Sequence, residues 1–197
     1  MKILLILFSY LFGAFPTGYF LVKLSVRRDI REVGSRSTGA TNVFRVGGWK
    51  LALPVMVVDI LKGYLPAFLA VHLYSSRLLA LICLLAAVIG HCYPVYLKFR
   101  GGKGVATTSG GYLYLAPGPF GLSLALMLIM LFLFRYVSLA TPSGMLVFPV
   151  LVLILKGDRT LFAFGLIFFL IILFRHRENV KRLASGTERK FGERLNA

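Results

Sequence analysis

The sequence predicts an all-α, polytopic membrane protein of about seven transmembrane helices, N-terminus outside and C-terminus cytoplasmic. It reads as a single integral-membrane domain over residues 1–197. Three observations predict this. Hydrophobic residues make up 58% of the chain and mean hydropathy is +0.81, too apolar for a water-soluble domain of this length. The apolar residues form runs long enough to cross a hydrocarbon core of about 30 Å, which takes about 20 residues and fewer where flanking side chains snorkel. The charge is one-sided, 23 Lys and Arg against 7 Asp and Glu for a formal net of +16, and the cations collect between alternate runs.

The first run, "MKILLILFSYLFGAFPTGYFLVKL", begins like a signal peptide. It continues from Ile3 to Val22, however, with no A-x-A site after it, and Lys23, Arg27, Arg28 and Arg31 follow rather than precede it. That describes a retained span at 3–22 with its N-terminus outside. Further spans are read at 50–73, 78–97, 105–117, 119–134, 140–155 and 160–174. The stretch Val105 to Phe134 is too long for one ordinary span, and "APGP" at 116–119 breaks it, because proline lacks the donor and clashes with the preceding turn. Two short spans with a tight turn are preferred over one long kinked helix. The last run, "LFAFGLIFFLIILF", reads as lipid-facing. No internal repeat and no low-complexity segment is seen.

Seven spans place three loops and the C-terminus inside, and the cations test this. Segment 23–50 holds seven Lys and Arg, 98–103 three, Arg135 one and 175–194 seven; the other five are Lys2, Lys62, Arg77, Lys156 and Arg159. Eighteen against five is the asymmetry that basic cytoplasmic loops produce, and an even number of spans would put the basic tail outside. The same scatter over short loops argues against nucleic acid. Cys83 and Cys92, nine apart in one run, read as lipid-buried thiols. Three scattered histidines and one intramembrane acid make no metal site. Asp59 and Lys62, three apart in a span, are costly alone in lipid and are expected to pair structurally. His72 reads as structural.

Three polar stretches share the inner face: "GSRSTGATNVFRVGG" at 34–48, "GHCYPVYLKFRGGKGVATTSGG" at 90–111 and "RHRENVKRLASGTERKFG" at 175–192. Each combines glycine, a hydroxyl or amide, and arginine or lysine. Glycine lets backbone amides approach an anion, successive amides form a phosphate nest, and Lys and Arg add a point charge and a bidentate fork. Gly101-Gly102-Lys103-Gly104, with Thr107 and Thr108 near a helix start, has the parts of a phosphate cradle. It is not a nucleotide P-loop, since Leu97 replaces the first glycine and Gly104 the hydroxyl. Taken alone, GGKG equally describes a flexible basic loop touching headgroups; the two companion loops favour a shared anion site.

"GSRSTGATNVFR", "GHCYPVYLKFRGGKGVAT" and "RHRENVKRL" resemble the three signature motifs of the bacterial acyl-phosphate:glycerol-3-phosphate acyltransferases, in order and spacing, over essentially the whole chain. One departure is Ser37, where the family usually has Asn. The resemblance implies acyl transfer from acyl phosphate to the 1-hydroxyl of glycerol 3-phosphate, giving lysophosphatidic acid and phosphate. It implies no cofactor, no obligatory protein partner, membrane lipid as surroundings, and a multi-pass protein of the bacterial inner membrane with its active site on the cytoplasmic face. What the residues lack agrees. The positions five after His72, His91 and His176 are Arg77, Tyr96 and Lys181, so there is no His–Asp base pair, and there is no G-x-S-x-G elbow or Cys/His pairing. A chain this poor in acids and bases suits an electrophile that arrives activated, with catalysis by positioning and electrostatics.

On that resemblance, Gly101, Gly102, Lys103, Gly104 and Thr107 cradle the phosphate of the donor. Arg45, with Lys103 and His176, grips the phosphate of glycerol 3-phosphate. Ser35, Thr41 and Asn42 position the glycerol hydroxyls or donate to the oxyanion. Asn179, three residues after His176 and read on the same helix face, shares that work. The proton of the attacking hydroxyl goes to His176 or to a substrate phosphate oxygen. Ser35 also fits a helix N-cap, Arg175, Arg177, Lys181 and Arg182 a headgroup-facing helix end, and His91 either a contact or an orienting residue. Ser143, at the inner end of span six, is included. A transporter of phosphorylated molecules would need midplane charges and a repeat. A lipid-recruiting scaffold would need charge but not these Gly, Ser and Asn residues.

Overall fold

The computed structural model describes residues 1–193, so Arg194, counted above among the inner cations, lies outside the described residues. The chain forms two compact units, residues 1–111 and 112–193.

In the first unit, α1 (Lys2–Ala14) and α2 (Thr17–Val26) together form the expected first span, interrupted at Phe15–Pro16. Pro16 has no amide to donate, and it holds Phe15 extended at ψ 119°. After a loop come the short α3 (Ala40–Gly47), α4 (Trp49–Tyr74), α5 (Arg77–Cys92), a 3-10 turn (Val95–Leu97) and the start of α6 (Val105–Leu115). α4 is 26 residues long, about 39 Å at 1.5 Å per residue. The Ser76 side chain caps α5 by accepting from the Leu79 amide at 3.2 Å. Helix α3 buries Val43 and Phe44 against Val22, Ile30, Ala52 and Val55, and this apolar cluster fixes α3 to α2 and α4.

The helices of this unit meet through glycines. A Cβ at Gly13 would strike the Ala87 backbone, and one at Gly90 the Tyr10 carbonyl, which brings α1 and α5 into backbone contact. Gly63 stands likewise against the Thr107 carbonyl and Gly110 against that of Ile60, seating α6 on α4. Close backbone approach through small residues is how helices associate where lipid removes the hydrophobic drive.

In the second unit, α7 (Pro117–Phe134), α8 (Val137–Lys156), α9 (Arg159–Arg175) and α10 (Arg177–Ala184) follow the end of α6. The break expected at 116–119 falls at Ala116, with Pro117 opening α7. Ser123 donates to the Gly144 carbonyl at 2.6 Å, and Tyr112 stacks on Phe148 and meets Phe168 edge-on. The run expected to be wholly lipid-facing buries one stripe. Leu161, Gly165, Phe168 and Ile172, at helical spacing, are buried, while Leu170 and Phe174 remain exposed. Packing of Gly165 on Pro149 of α8 makes the stripe.

Five stretches are long and apolar enough to cross a membrane: Lys2–Val26, Trp49–Tyr74, Arg77–Leu97, Pro117–Phe134 and Val137–Lys156. A sixth is Arg159–Arg175 taken with Arg177–Ala184, bent by 59°. α6, with 11 residues, is about 16 Å long, half of a hydrocarbon core. The chain is thus an all-helical integral membrane protein.

Candidate active site

The loop before α3 is shaped by one buried amide. Asn42 is 1% exposed; its Oδ1 accepts the Ser35 amide at 2.9 Å, and its Nδ2 donates to the carbonyls of Ile30, Val33 and Ser37 at 3.2, 3.0 and 2.9 Å. The side chain read from sequence as a substrate contact is therefore committed to backbone. Ser35 does not cap a helix, because α3 starts five residues later behind Gly39. Ser37 Oγ accepts the Gly39 amide at 3.3 Å. Thr41 and Arg45 lie one turn apart on α3, and Arg45 is buried at 6% exposure.

The second loop folds back on the end of α5. The Gly101 and Gly102 amides donate to the carbonyls of Cys92 and His91 at 3.3 and 3.0 Å, so they face inward instead of forming an open nest. These two positions must be glycine for a different reason. A Cβ at Gly101 would meet the His91 carbonyl, and one at Gly102 the Nε2 edge of the His91 ring. Gly104 turns the chain at φ +83°, a left-handed conformation that suits glycine. Near this turn stand the half-buried Lys103, the first-turn amides of α6, which have no intrahelical acceptor, and hydroxyls. Thr107 Oγ1 and Thr108 Oγ1 are buried without a hydrogen-bond partner among the described residues, and such buried donors are uncommon unless something completes them.

These loops meet. Arg31, in the loop that leads to Ser35, donates to the Leu97 carbonyl at 3.5 Å, and Thr38, His91 and Pro94 line one small cavity with Thr17, Asp59 and Lys62. Arg31 is held by Asp29 at 2.6 Å and lies over the Tyr19 ring at 5.0 Å. The guanidinium keeps the Asp29 carboxyl below its ordinary pKa. The structure thus brings the loop before α3, at Arg31 and Thr38, against the end of α5 and the turn after it, at His91, Pro94 and Leu97. Beneath them, the expected Asp59–Lys62 pair forms at 2.6 Å with both side chains buried. His72 stacks on Phe68, as a structural residue would.

The remaining candidates belong to the second unit. His176 is at the bend between α9 and α10, its Nδ1 2.8 Å from the Ile172 carbonyl. His176 is the N-cap of α10 and its carbonyl accepts the Asn179 amide at 2.8 Å, so the two residues belong to the first turn of α10. Asn179 Nδ2 donates to Glu188 Oε1 at 2.8 Å, and Glu188 also accepts from Ser138 and Arg182 at 3.1 and 2.8 Å. Sequence reasoning passed over Glu188; it is one of two acids, with Glu178, in the basic stretch 175–192, and nothing local marks it as the buried one. Ser143, half-buried, bonds back to the Leu139 carbonyl at 2.9 Å, the common fate of a mid-helix serine.

Comparison with known proteins places this arrangement. The family model for glycerol-3-phosphate acyltransferase matches residues 3–186. A glycerol-3-phosphate acyltransferase of Syntrophotalea carbinolica is 41% identical over 191 residues, 95% of this chain and 96% of the relative. One of Rubrobacter xylanophilus is 42% identical over 195 residues, 98% and 97% of the two chains. The crystal structure of PlsY (YgiH), an integral membrane glycerol 3-phosphate acyltransferase, in its glycerol 3-phosphate form, superposes with a TM-score of 0.92 at 35% identity, covering 97% of this chain and 96% of that one. Its lysophosphatidic acid form gives 0.89 at 34% identity, covering 98% and 96%. With the motifs, the helices and these matches in agreement, this chain belongs to the glycerol-3-phosphate acyltransferase family.

Proposed function

We propose that this protein transfers a fatty acyl group from acyl phosphate to the 1-hydroxyl of glycerol 3-phosphate, releasing lysophosphatidic acid and inorganic phosphate. The observation that carries the reading is the contact of the loop before α3, at Arg31 and Thr38, with the chain at His91, Pro94 and Leu97, which runs on into Lys103 and two buried threonine hydroxyls without partners among the described residues. Two phosphorylated reactants need two sets of anion donors, and this region supplies cations from both loops together with a helix N-terminus.

In the reaction the glycerol oxygen bonds to the acyl carbonyl carbon and the carbon–oxygen bond to phosphate breaks. The electron pair leaves with phosphate, which ends with the hydroxyl proton as hydrogen phosphate. A mixed anhydride needs no covalent enzyme intermediate, so the protein holds the reactants and stabilises charge. Lys103, the first turn of α6 and Thr107 hold one phosphate; Arg45 holds the other; Ser35 orients the glycerol hydroxyls, with Asn42 shaping its loop. His176 and Asn179 are assigned to the reaction by their motif. The eighteen-to-five cation split supports a bacterial inner-membrane protein with seven passages, α6 being a short one, the N-terminus outside, and Ser35 and Lys103 on the cytoplasmic face. Purified protein given acyl phosphate and glycerol 3-phosphate should release phosphate stoichiometrically with lysophosphatidic acid. No release, or equal turnover with acyl-coenzyme A, overturns the proposal.

A further inference from the structure

We infer that Asp59 and Lys62 are positioning residues, which hold the His91 imidazole as the backing for Gly102 and so set the shape of the Gly101–Thr107 segment. The inference rests on the assignment of that segment to phosphate binding.

Lys62 Nζ donates to Asp59 Oδ1 and to the Phe15 carbonyl, both at 2.6 Å, which ties α4 to the corner between α1 and α2. The same Asp59 oxygen lies 3.6 Å from His91 Nδ1, within ion-pair range though longer than a hydrogen bond. The opposite edge of the ring, at Nε2, is the surface against which Gly102 fits without a Cβ, and the His91 carbonyl accepts the Gly102 amide. One turn of α4 therefore reaches the loop by two routes: Asp59 through His91, and Gly63 directly against the Thr107 carbonyl. A bare structural pair would be a poor choice here. A buried ion pair is often no more stable than apolar residues of similar volume, and charge within a span is costly. The placement between a helix corner and the loop gives the charges a reason to be kept.

The test is Asp59→Leu/Lys62→Met, which removes both charges and leaves none unpaired. Melting in detergent should stay near wild type. The kcat/KM for glycerol 3-phosphate and acyl phosphate should fall by about a hundredfold, the scale for a misplacement of about 1 Å. His91→Asn, which keeps a donor near Nδ1 but removes the ring edge behind Gly102, should lose as much alone and add nothing in the charge-free background. A charge-free protein with native melting and kcat/KM within about threefold of wild type overturns the inference; so does an active His91→Asn if the double variant fails to fold. Lys103→Ala, assayed alongside, separates the two readings. If it is fully active, the phosphate assignment itself fails. If it is inactive while the charge-free variant and His91→Asn are normal, only the positioning role falls.

Discussion

The Ser35 amide donates to Asn42 Oδ1 at 2.9 Å, across seven residues, while the other end of the same carboxamide satisfies three carbonyls. Ser35 is thus held by a residue that does not itself reach outward. Asn42→Ala takes the partner from the Ser35 amide and the Ser37 carbonyl, at about 1–3 kcal/mol each where they stay shielded from water, and Asn42→Asp replaces the donor to the three carbonyls with an acceptor. Both should lower the melting temperature and activity together. Ser35→Ala keeps the amide bond to Asn42, so it should melt like wild type and lose turnover. A fully active Ser35→Ala would remove Ser35 from the reaction.

Lys103 and Arg45 are expected to matter through charge. Lys103→Ala should cost about 1.5–3 kcal/mol of binding, roughly tenfold or more in kcat/KM, with little change in melting. Arg45 is buried on α3, so its guanidinium fork is the better test. Arg45→Lys keeps the charge and should still lose most activity if a bidentate grip is used. Near-normal kinetics in both variants would move the anion site elsewhere.

Membrane character, the helix break at 116, the Asp59–Lys62 pair and the three motif loops were legible in the sequence because each follows from a local rule: run length, proline, the cost of charge in lipid, glycine beside cations. What was not legible depends on tertiary contact. Asn42 looks like a substrate ligand until the carbonyls of Ile30 and Val33 are seen around it. Gly101 and Gly102 look like an anion nest until their amides are found facing Cys92 and His91. The bend at His176 has no proline or glycine to announce it. The buried stripe on α9 is hidden because every neighbouring position is equally apolar.

Space decides what each glycine tolerates. Gly102→Ala drives a Cβ into the His91 ring, and overpacking of this kind costs about 1–3 kcal/mol; kcat/KM should drop sharply, the loop being the part that must yield. Gly118→Ala and Gly121→Ala, with nothing within 4 Å of the added carbon, should leave activity and melting unchanged. Equal behaviour of Gly102→Ala and these controls would contradict the contact between the loop and His91.

Arg31 keeps the Asp29 carboxyl ionised below its usual range. A depressed carboxyl pKa adds stability that is complete above the unfolded-state value and is lost as pH falls through the folded-state value. The pair is partly open to water, so its contribution is at most about 1 kcal/mol. Asp29→Asn should therefore lower the melting temperature slightly at pH 7, and the difference from wild type should vanish in strong acid. The same difference at every pH would mean the charge has no part in holding the loop.

The side on which each loop lies can be read with single cysteines, because Cys83 and Cys92 are buried and should not react with an impermeant thiol reagent. Arg36 and Arg159 are both exposed. Between them lie the eight-residue α3, too short to cross, and five further helices, α4 to α8, one of which is the 16 Å α6. If α6 crosses, the two positions are on opposite faces, and Arg36→Cys should label only in inverted vesicles while Arg159→Cys labels from outside. If α6 turns back within the bilayer, four crossings remain and both cysteines label from the same side. The eighteen-to-five cation split favours the first outcome, since only then do Lys156 and Arg159 lie apart from the basic loops. Labelling of both from the cytoplasmic side would reduce the passages to six and move the C-terminal tail to the outer face.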